Sequence, residues 1–239
     1  MRKLRTIEMD RLTVQEFKQA DKLPVVVVLD NVRSLYNVGS VFRSCDAFRV
    51  EAVYLCGITA CPPNNEIHKT ALGGEESVDW RYFSRTEDAV ADLHARGYYI
   101  YSIEQVEHST KLQRLDLSAH SHPGYAVVFG NEVKGVQQQI VDMSDGCLEI
   151  PQLGTKHSLN VSVHLTRALV SYDTWSRDFR HEPPSVAAGR LPWAARANGV
   201  TIPSLSLTSL PANATVRSED STTLATARPC TVADSRERG

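Results

Sequence analysis

Three separated segments of the sequence carry the side chains whose types and spacing could do chemistry. They supply an arginine, a glutamate, a serine and two side-chain amides, which are groups that bind and orient an anionic substrate. Other common sites are excluded because the chain has no Gly-rich turn after its first apolar run, no P-loop, no serine-hydrolase elbow and no His–carboxylate pair at metal-binding spacing. The three segments are residues 31–44, 127–135 and 150–163.

The first segment combines a helix start with a basic side chain. Asn37 precedes apolar residues at helical spacing and is a natural N-cap. The free N–H groups at such a helix start favour anions such as phosphate. Gly39 and Arg43 lie four residues apart on one face of the predicted helix, where Gly39 would let a substrate approach Arg43 closely. Taken alone, the segment is equally compatible with a structural cap and a surface arginine.

The second and third segments each follow a predicted strand. Ligands of open parallel sheets bind beyond the carboxyl ends of the strands, where Gly130 would let a ligand lie against the backbone and Glu132 would supply a carboxylate. Ser158 is predicted to cap the last helix, which would place Asn160 in its first turn, where Asn is not a preferred residue. Singly, these segments also fit a turn and a loop without function.

Alternating strands and helices must position these segments. The apolar run Val25–Leu29 predicts a strand buried on both faces, as in parallel sheets. The alternation of elements predicts an α/β fold with a largely parallel sheet. Further strands are predicted over residues 50–56, 98–103, 125–129 and 147–150, and helices over 14–20, 38–48, 86–95 (capped by Thr86 and stopped by Gly97) and from Ser158, with Val161, Leu165, Leu169 and Tyr172 on one face.

Length and charge limit the possible partners. A chain of 239 residues can form one globular domain and an additional segment, and its formal net charge of −2 excludes a strongly basic nucleic-acid-binding domain. Contact with RNA would therefore use a local patch. We expect a short N-terminal extension over residues 1–23, a globular domain over 24–180 and a mostly disordered tail over 181–239, which is rich in Pro, Ser, Thr and Ala.

Other features bear on the cellular compartment. No apolar run approaches the roughly 20 residues of a membrane helix, and the basic N-terminus is not followed by the apolar stretch of a signal peptide. The five cysteines are odd in number and form no CxxC pair, which favours reduced, mostly buried thiols. We therefore expect a cytoplasmic protein without a metal; a metal site at Cys56, Cys61 and His68 is the alternative.

Together, the three segments resemble the SpoU/TrmH family of RNA methyltransferases in the SPOUT superfamily. Asn37 and Arg43 match the first family motif, and residues 129–135 and 150–163 match the second and third. The resemblance covers about residues 24–176 and also includes residues 69–76 and 80–83. It implies an α/β knot, with the C-terminal part threaded into a deep trefoil, and a homodimer with its site near the subunit interface. It also implies S-adenosylmethionine as cofactor and transfer of its methyl group to a ribose 2′-hydroxyl.

The resemblance also assigns roles to individual residues. Arg43 matches the catalytic arginine, which we expect to hold a phosphate or the developing oxyanion, because an arginine is not a base near neutral pH. His157 is the alternative proton acceptor. The remaining catalytic positions are Asn37, Glu132, Ser158 and Asn160; the cofactor positions are Gly130, Ile150 and Leu159, with Phe129 and Gln152 beside them; and the predicted RNA patch around Arg43 contains Arg33, Lys69, Arg81, Lys134 and Lys156.

Two departures from the family pattern and two other classes of function stay open. Asn131 stands where a small residue is usual, and Gln152 where Met is usual, which affects specificity more than activity. A non-catalytic RNA-binding protein on the same fold is one alternative. A Rossmann-like oxidoreductase or small-molecule enzyme is the other, although the Gly-rich first turn that it needs is missing. Because no separate N-terminal RNA-binding domain is predicted, tRNA is favoured slightly over rRNA as the substrate.

Overall fold

Seven parallel strands form one sheet in the part of the chain that the structure describes. The computed structural model describes residues 2–9, 11–117, 122–155 and 159–178. The strand order is β3-β2-β1-β6-β4-β7-β5, and every pairing is parallel. The strands are β1 (Leu23–Asp30), β2 (Val50–Cys56), β3 (Asp79–Phe83), β4 (Tyr99–Ile103), β5 (Thr110–Lys111), β6 (Tyr125–Phe129) and β7 (Gly146–Glu149).

Seven α-helices connect or flank these strands in the described part of the chain. Two short 3-10 turns, Thr6–Met9 and Leu112–Arg114, complete its regular structure. Among the residues described, no helix is both long and apolar enough to cross a membrane. The helices are α1 (Val14–Gln19), α2 (Leu35–Ala47), α3 (Asn65–Ala71), α4 (Gly74–Ser77), α5 (Thr86–Ala95), α6 (Gln138–Met143) and α7 (Val161–Asp178).

Helices cover both faces of the sheet, so β1 is buried on both sides, as its unbroken apolar sequence predicts. Val25, Val27 and Leu29 belong to one core, which also contains the buried residues of α2, α3 and α7. Val26 and Val28 belong to the other core, which contains the buried residues of α5 and α6. The predicted α/β fold with a parallel sheet is therefore confirmed.

Helix ends were predicted less well than helix positions. The helix α2 begins before Asn37, and its N-cap is Ser34, whose side chain accepts a hydrogen bond from the Asn37 N–H. The N-cap of α5 is Arg85 rather than Thr86. The Thr86 hydroxyl instead donates to the buried Asp30 carboxylate at 2.7 Å. Gly97 has a φ of 79°, as its predicted place after α5 requires.

The last helix packs as its spacing predicts. The four residues that the sequence places on one face are all buried, and Leu165 has no exposed surface. The helix α7 contacts α2 and the turn at residues 112–114. The predicted start at Ser158 and the predicted tail over 181–239 lie outside the described residues. The buried residues of this face are Val161, Leu165, Leu169 and Tyr172.

The cysteines do not form the alternative metal site. Cys56 belongs to the core beneath α5, whereas Cys61 belongs to the core beneath α2. The described residues do contain one group of potential metal ligands, formed by His68, Glu75 and Glu76, and neither cysteine is part of it. The cysteines that the structure describes are all free, and three of the four are buried: Cys45, Cys56, Cys61 and the partly buried Cys147.

Candidate active site

The start of α2 lies beside the loop that follows β6, and a carboxylate of that loop binds it. Glu132 Oε2 accepts a hydrogen bond from the backbone N–H of Arg33 at 3.1 Å, and Oε1 accepts one from Ser34 at 3.0 Å. The sequence predicted that N–H groups here would attract an anion. For the two N–H groups just before the helix, those of Arg33 and Ser34, that anion is the Glu132 carboxylate of the protein itself.

These contacts keep Glu132 ionised near neutral pH. Burial alone would raise the pKa of its carboxyl group. Hydrogen bonds from the Arg33 and Ser34 N–H groups, together with the Asn37 amide, lower the pKa by more, so that it lies below its ordinary value. Glu132 therefore acts on the position of α2 and is not suited to donate a proton.

Asn37 connects the first motif to both of the others. Its Nδ2 donates to Glu132 Oε1 at 3.0 Å, and its Oδ1 accepts from Asn160 Nδ2 at 2.9 Å. Because a carboxylate can only accept hydrogen bonds, the amide nitrogen of Asn37 must face Glu132 and its oxygen must face Asn160. One side chain thus joins Asn37 to Glu132, which is 95 positions later in the sequence, and to Asn160, which is 123 positions later.

Asn160 is the N-cap of α7, one position before the first turn in which the sequence placed it. Its Oδ1 accepts from the Ser162 N–H at 2.9 Å, and its carbonyl accepts from the His164 N–H at 3.0 Å. The side chain therefore holds the helix start with its oxygen and Asn37 with its nitrogen. Ser158, His157 and Lys156 lie outside the described residues.

The loop after β6 closes on itself. The N–H and carbonyl groups of Asn131 and Gly135 pair reciprocally at 3.0 and 2.8 Å. A Cβ atom on Gly130 would overlap the backbone of Gly135 and Val136. Gly130 is therefore required by the packing of the loop itself, whereas the sequence suggested room for a ligand at its Cα.

Carboxylates from two strand ends hold the same loop. Glu104, just after β4, accepts a hydrogen bond from the Val136 N–H at 3.1 Å. Asp30, at the end of β1, accepts from the Gln137 N–H at 3.0 Å and from its side-chain amide at 2.8 Å. Sequence reasoning missed both acids, although an acid that ends an otherwise apolar strand is a signal for such a role.

The predicted cofactor residues lie at the carboxyl end of the sheet, with Phe129 at the end of β6 and the others on the loops after β6 and β7. Because β4 lies between β6 and β7, the loops that follow β6 and β7 emerge on either side of Glu104. The side chains of Phe129 and Ile150 are buried, which leaves their backbone groups as the available contacts. Gln152 is partly buried and Leu159 is 42% exposed.

A basic groove lies between α2, α3 and α7 and has a volume of about 660 Å³. Arg43 is exposed in it and has no ion pair among the residues that the structure describes. Lys69 binds Glu66 at 2.6 Å, and Arg167 of α7 adds a third cation that sequence reasoning missed. The other lining residues are Ser40, Ser44, Thr70, Ser162, Val163, Thr166 and Val170.

Of the other basic residues of the predicted patch that the structure describes, two lie near the site and one lies on the opposite face of the sheet. Arg33 and Lys134 are exposed on the two loops that Glu132 joins. Arg81 does not join them. Its guanidinium lies 3.5 Å from the carboxylate of Asp92, which belongs to α5 on the opposite face of the sheet from α2.

Gly39 serves helix packing rather than substrate access. A Cβ atom at this position would overlap the Thr70 hydroxyl and the Ile67 carbonyl, both on α3. The glycine thus lets α2 and α3 approach closely, and the space beside it is filled by protein. The predicted opening in front of Arg43 is formed instead by the groove toward α7.

Comparison with known proteins identifies the family. The model of the SpoU rRNA Methylase family matches residues 24–169. The chain belongs to this family. A tRNA (guanosine(18)-2'-O)-methyltransferase of Thermus thermophilus is 29% identical over 156 residues, which cover 65% of this chain and 77% of that protein.

Solved structures share the SpoU fold with this chain. A TrmH/SpoU tRNA modifying enzyme of A. aeolicus matches with a TM-score of 0.60 and 23% identity, over 69% of this chain and 83% of that one. An AdoMet-bound rRNA methyltransferase of Sinorhizobium meliloti matches with a TM-score of 0.59 and 22% identity, over 66% of this chain. The chain spans 59% of the latter protein. At these identities the likeness establishes the fold.

Proposed function

We propose that this SpoU chain transfers a methyl group from S-adenosylmethionine to a ribose 2′-hydroxyl of RNA. The observation that carries the proposal is the hydrogen-bonded series Glu132–Asn37–Asn160, which joins the three motifs beside a groove that contains Arg43. The Thermus relative, named for 2′-O-methylation of a tRNA guanosine, supports the same reaction.

The loops at the carboxyl ends of β6, β4 and β7 fit the proposed cofactor. S-adenosylmethionine, when bound, supplies a methyl group that its positive sulfonium already makes electrophilic. An adenosyl group needs apolar surface and backbone hydrogen-bonding groups. Leu153 is fully exposed on the loop after β7, Leu159 is exposed before α7, and the buried Ile150 offers its backbone at the end of β7. This donor set suits a nucleoside better than a metal ion.

Arg43 would hold the RNA at the site of transfer. A guanidinium with no partner in the described chain is free to take a phosphate through two parallel hydrogen bonds. Because a guanidinium offers hydrogen-bond donors and no acceptor, Arg43 would stabilise the negative charge that develops on the ribose oxygen rather than accept the proton. Glu132 contacts Asn37 and the start of α2, so it would position the helix that carries Arg43.

The groove is the proposed path of the RNA backbone. Arg43, Lys69 and Arg167 line it together, and Arg33 and Lys134 lie on the adjacent loops. Phosphate contacts of this kind weaken as salt rises, because bound counterions are released. We favour tRNA over rRNA as the substrate, since the Thermus relative, 77% of whose length this chain covers, is named for tRNA.

A homodimer and a knot are part of the same proposal. Val163 and Val170 line the groove from α7 and are 52% and 46% exposed, so a second copy that packs against them would bring the site to a subunit boundary. The knot is proposed because it is typical of the SpoU family, and the hydrogen bond from Asn160 to Asn37 brings the start of α7 to α2, as a knotted C-terminal part would. We also propose that the enzyme works in the cytoplasm.

Single-turnover methylation with labelled S-adenosylmethionine tests the activity. Unfractionated tRNA and rRNA, both lacking ribose methylation, serve as separate substrates. We expect label in RNA with wild type, a loss of about 100-fold or more with Arg43→Ala, and little loss with Arg85→Ala, which removes an exposed arginine beside α5.

Each arm of this experiment can contradict the proposal. Absence of label with wild type on both RNAs would overturn the activity, and calorimetry with S-adenosylmethionine and NAD would then identify the cofactor. Near-wild-type transfer by Arg43→Ala would remove Arg43 from its assigned role. Label in rRNA but not in tRNA would overturn the substrate preference alone.

A further inference from the structure

One aromatic side chain is exposed beside the candidate active site. Tyr36 is 52% exposed, and among the tyrosine, phenylalanine and tryptophan residues whose side chains the structure describes it is the only one more than half exposed. The other tyrosine, phenylalanine and tryptophan side chains in this part of the protein lie in the cores or at their margins. An exposed aromatic ring needs an explanation, because its burial elsewhere would stabilise the fold.

The ring is held in one orientation by its outer end. The Tyr36 hydroxyl donates to Glu66 Oε2 at 2.7 Å, while Glu66 Oε1 accepts from Lys69 at 2.6 Å. The backbone carbonyl of Tyr36 accepts from the Thr70 hydroxyl at 3.1 Å. Both ends of the residue are therefore fixed to α3. The hydrogen bond to Glu66 also raises the pKa of Tyr36, so the phenol stays neutral.

The position of Tyr36 relates it to the reaction. It immediately precedes Asn37, whose side chain joins Glu132 and Asn160. It lies in the first turn of α2, the helix that also carries Arg43. Lys69, which lines the basic groove, shares the Glu66 carboxylate with it. A neutral, oriented ring thus lies close to Lys69, a cation that suits a phosphate.

We propose that Tyr36 is a stacking platform for an unpaired base of the RNA substrate, next to the ribose that is methylated. Sequence-specific and single-stranded RNA recognition commonly stacks bases on exposed aromatic rings while cations hold the backbone. An enzyme that must reach a 2′-hydroxyl gains by holding the neighbouring base out of its stack. The inference rests on the proposed function, and it adds a residue that selects for unstacked RNA.

Two variants separate the ring from its hydroxyl. Tyr36→Phe keeps the aromatic face and loses the contact to Glu66, while Tyr36→Leu keeps an apolar side chain and loses the face. Leu12→Ala is the control for loss of exposed apolar surface, since Leu12 is 49% exposed and precedes α1. Thermal unfolding of all variants should match wild type closely, because the ring is exposed.

Binding is measured with oligoadenylate and oligouridylate of about 12 nucleotides. Wild type and Tyr36→Phe should bind oligoadenylate more tightly than oligouridylate, because purines stack more strongly. Tyr36→Leu should bind oligoadenylate about 5- to 150-fold more weakly than wild type and lose the preference. Its KM for methylation-free tRNA should rise by a similar factor, with affinity for S-adenosylmethionine unchanged.

The outcomes distinguish this inference from the proposed function. If wild type methylates RNA but Tyr36→Leu keeps its KM and its base preference, Tyr36 is not a stacking platform. If Tyr36→Phe loses as much affinity for oligoadenylate as Tyr36→Leu, the contact to Glu66 matters rather than the ring, and the inference is overturned. A wild-type protein that neither binds nor methylates RNA would overturn both.

Discussion

Asn37→Asp tests whether the junction of the three motifs works as its geometry indicates. The Asn37 amide nitrogen lies 3.0 Å from Glu132 Oε1. A carboxylate oxygen in its place would remove a donor and set two negative charges at nearly that distance. Two unit charges about 3 Å apart repel by about 1.4 kcal/mol in water and by about 5.5 kcal/mol at an effective dielectric constant near 20. Because Glu132 is partly buried, we expect a total loss of about 3 kcal/mol near neutral pH.

Asn37→Ala is the matched control, because it removes the hydrogen bonds without adding charge. Its expected loss is about 1–2 kcal/mol. The difference between the two variants should depend on pH. In the Asp variant the paired carboxyls share a proton with a raised pKa, so their repulsion is present at high pH and disappears as pH falls through that value. In wild type, the lowered pKa of Glu132 means that its contribution is full above its ordinary pKa and is lost as pH falls through the lowered value.

Urea unfolding over a series of pH values from about 8 down to about 4 measures both effects, since the raised pKa of a carboxylate pair falls within this range. The Asp variant should be less stable than the Ala variant at the higher pH and approach it at the lower one. Equal stability of the two variants at the higher pH, or a gap that does not change with pH, would refute the assigned contact between Asn37 and Glu132.

Three further substitutions test the packing around the site. Gly39→Ala should cost about 1–3 kcal/mol, because its Cβ would meet the Ile67 carbonyl; an unchanged urea midpoint would show that α2 and α3 can move apart freely. Asp30→Asn should cost about 3 kcal/mol, because the new amide would face donors such as the Gln137 N–H in a fully buried place; thermal unfolding at wild-type temperature would count against this. Leu165→Ala should lower the free energy of unfolding by about 2–5 kcal/mol and, by loosening α7, weaken the binding of S-adenosylmethionine. A wild-type affinity for S-adenosylmethionine, measured by calorimetry, would show that the packing of α7 does not affect the cofactor site.

Strands and helices with strong local signals were predictable, whereas those with weak signals were not. The run Val25–Leu29 is apolar at every position, and the sheet buries both of its faces. The strand β3, residues 79–83, was missed because every one of its residues is only partly buried at the sheet edge. The helices α3, α4 and α6 and the strand β5 span seven or fewer residues and were not predicted, although the equally short α1 was.

The detailed contacts of the site depend on residues far apart in sequence, so local reasoning could name them without connecting them. Asn37 and Ser34 are both acceptable caps, and the choice between them follows from Glu132, nearly a hundred residues later. Gly130 is explained by a backbone approach within its loop. The side of the sheet on which Arg81 lies follows from its register opposite Tyr54, which only the pairing of β2 with β3 determines.

The loop at residues 130–137 has a consequence for the kinetics of ligand binding. Its N–H groups at Val136 and Gln137 bind carboxylates of neighbouring strands, and its ends pair with each other. The loop therefore loses its conformational entropy when the chain folds, and binding of a ligand there carries no further entropic cost of ordering the loop. The amide protons of Val136 and Gln137 should exchange with solvent slowly in the free protein, at rates close to those of the central strands. Association at this edge should then be limited by encounter rather than by rearrangement of the loop.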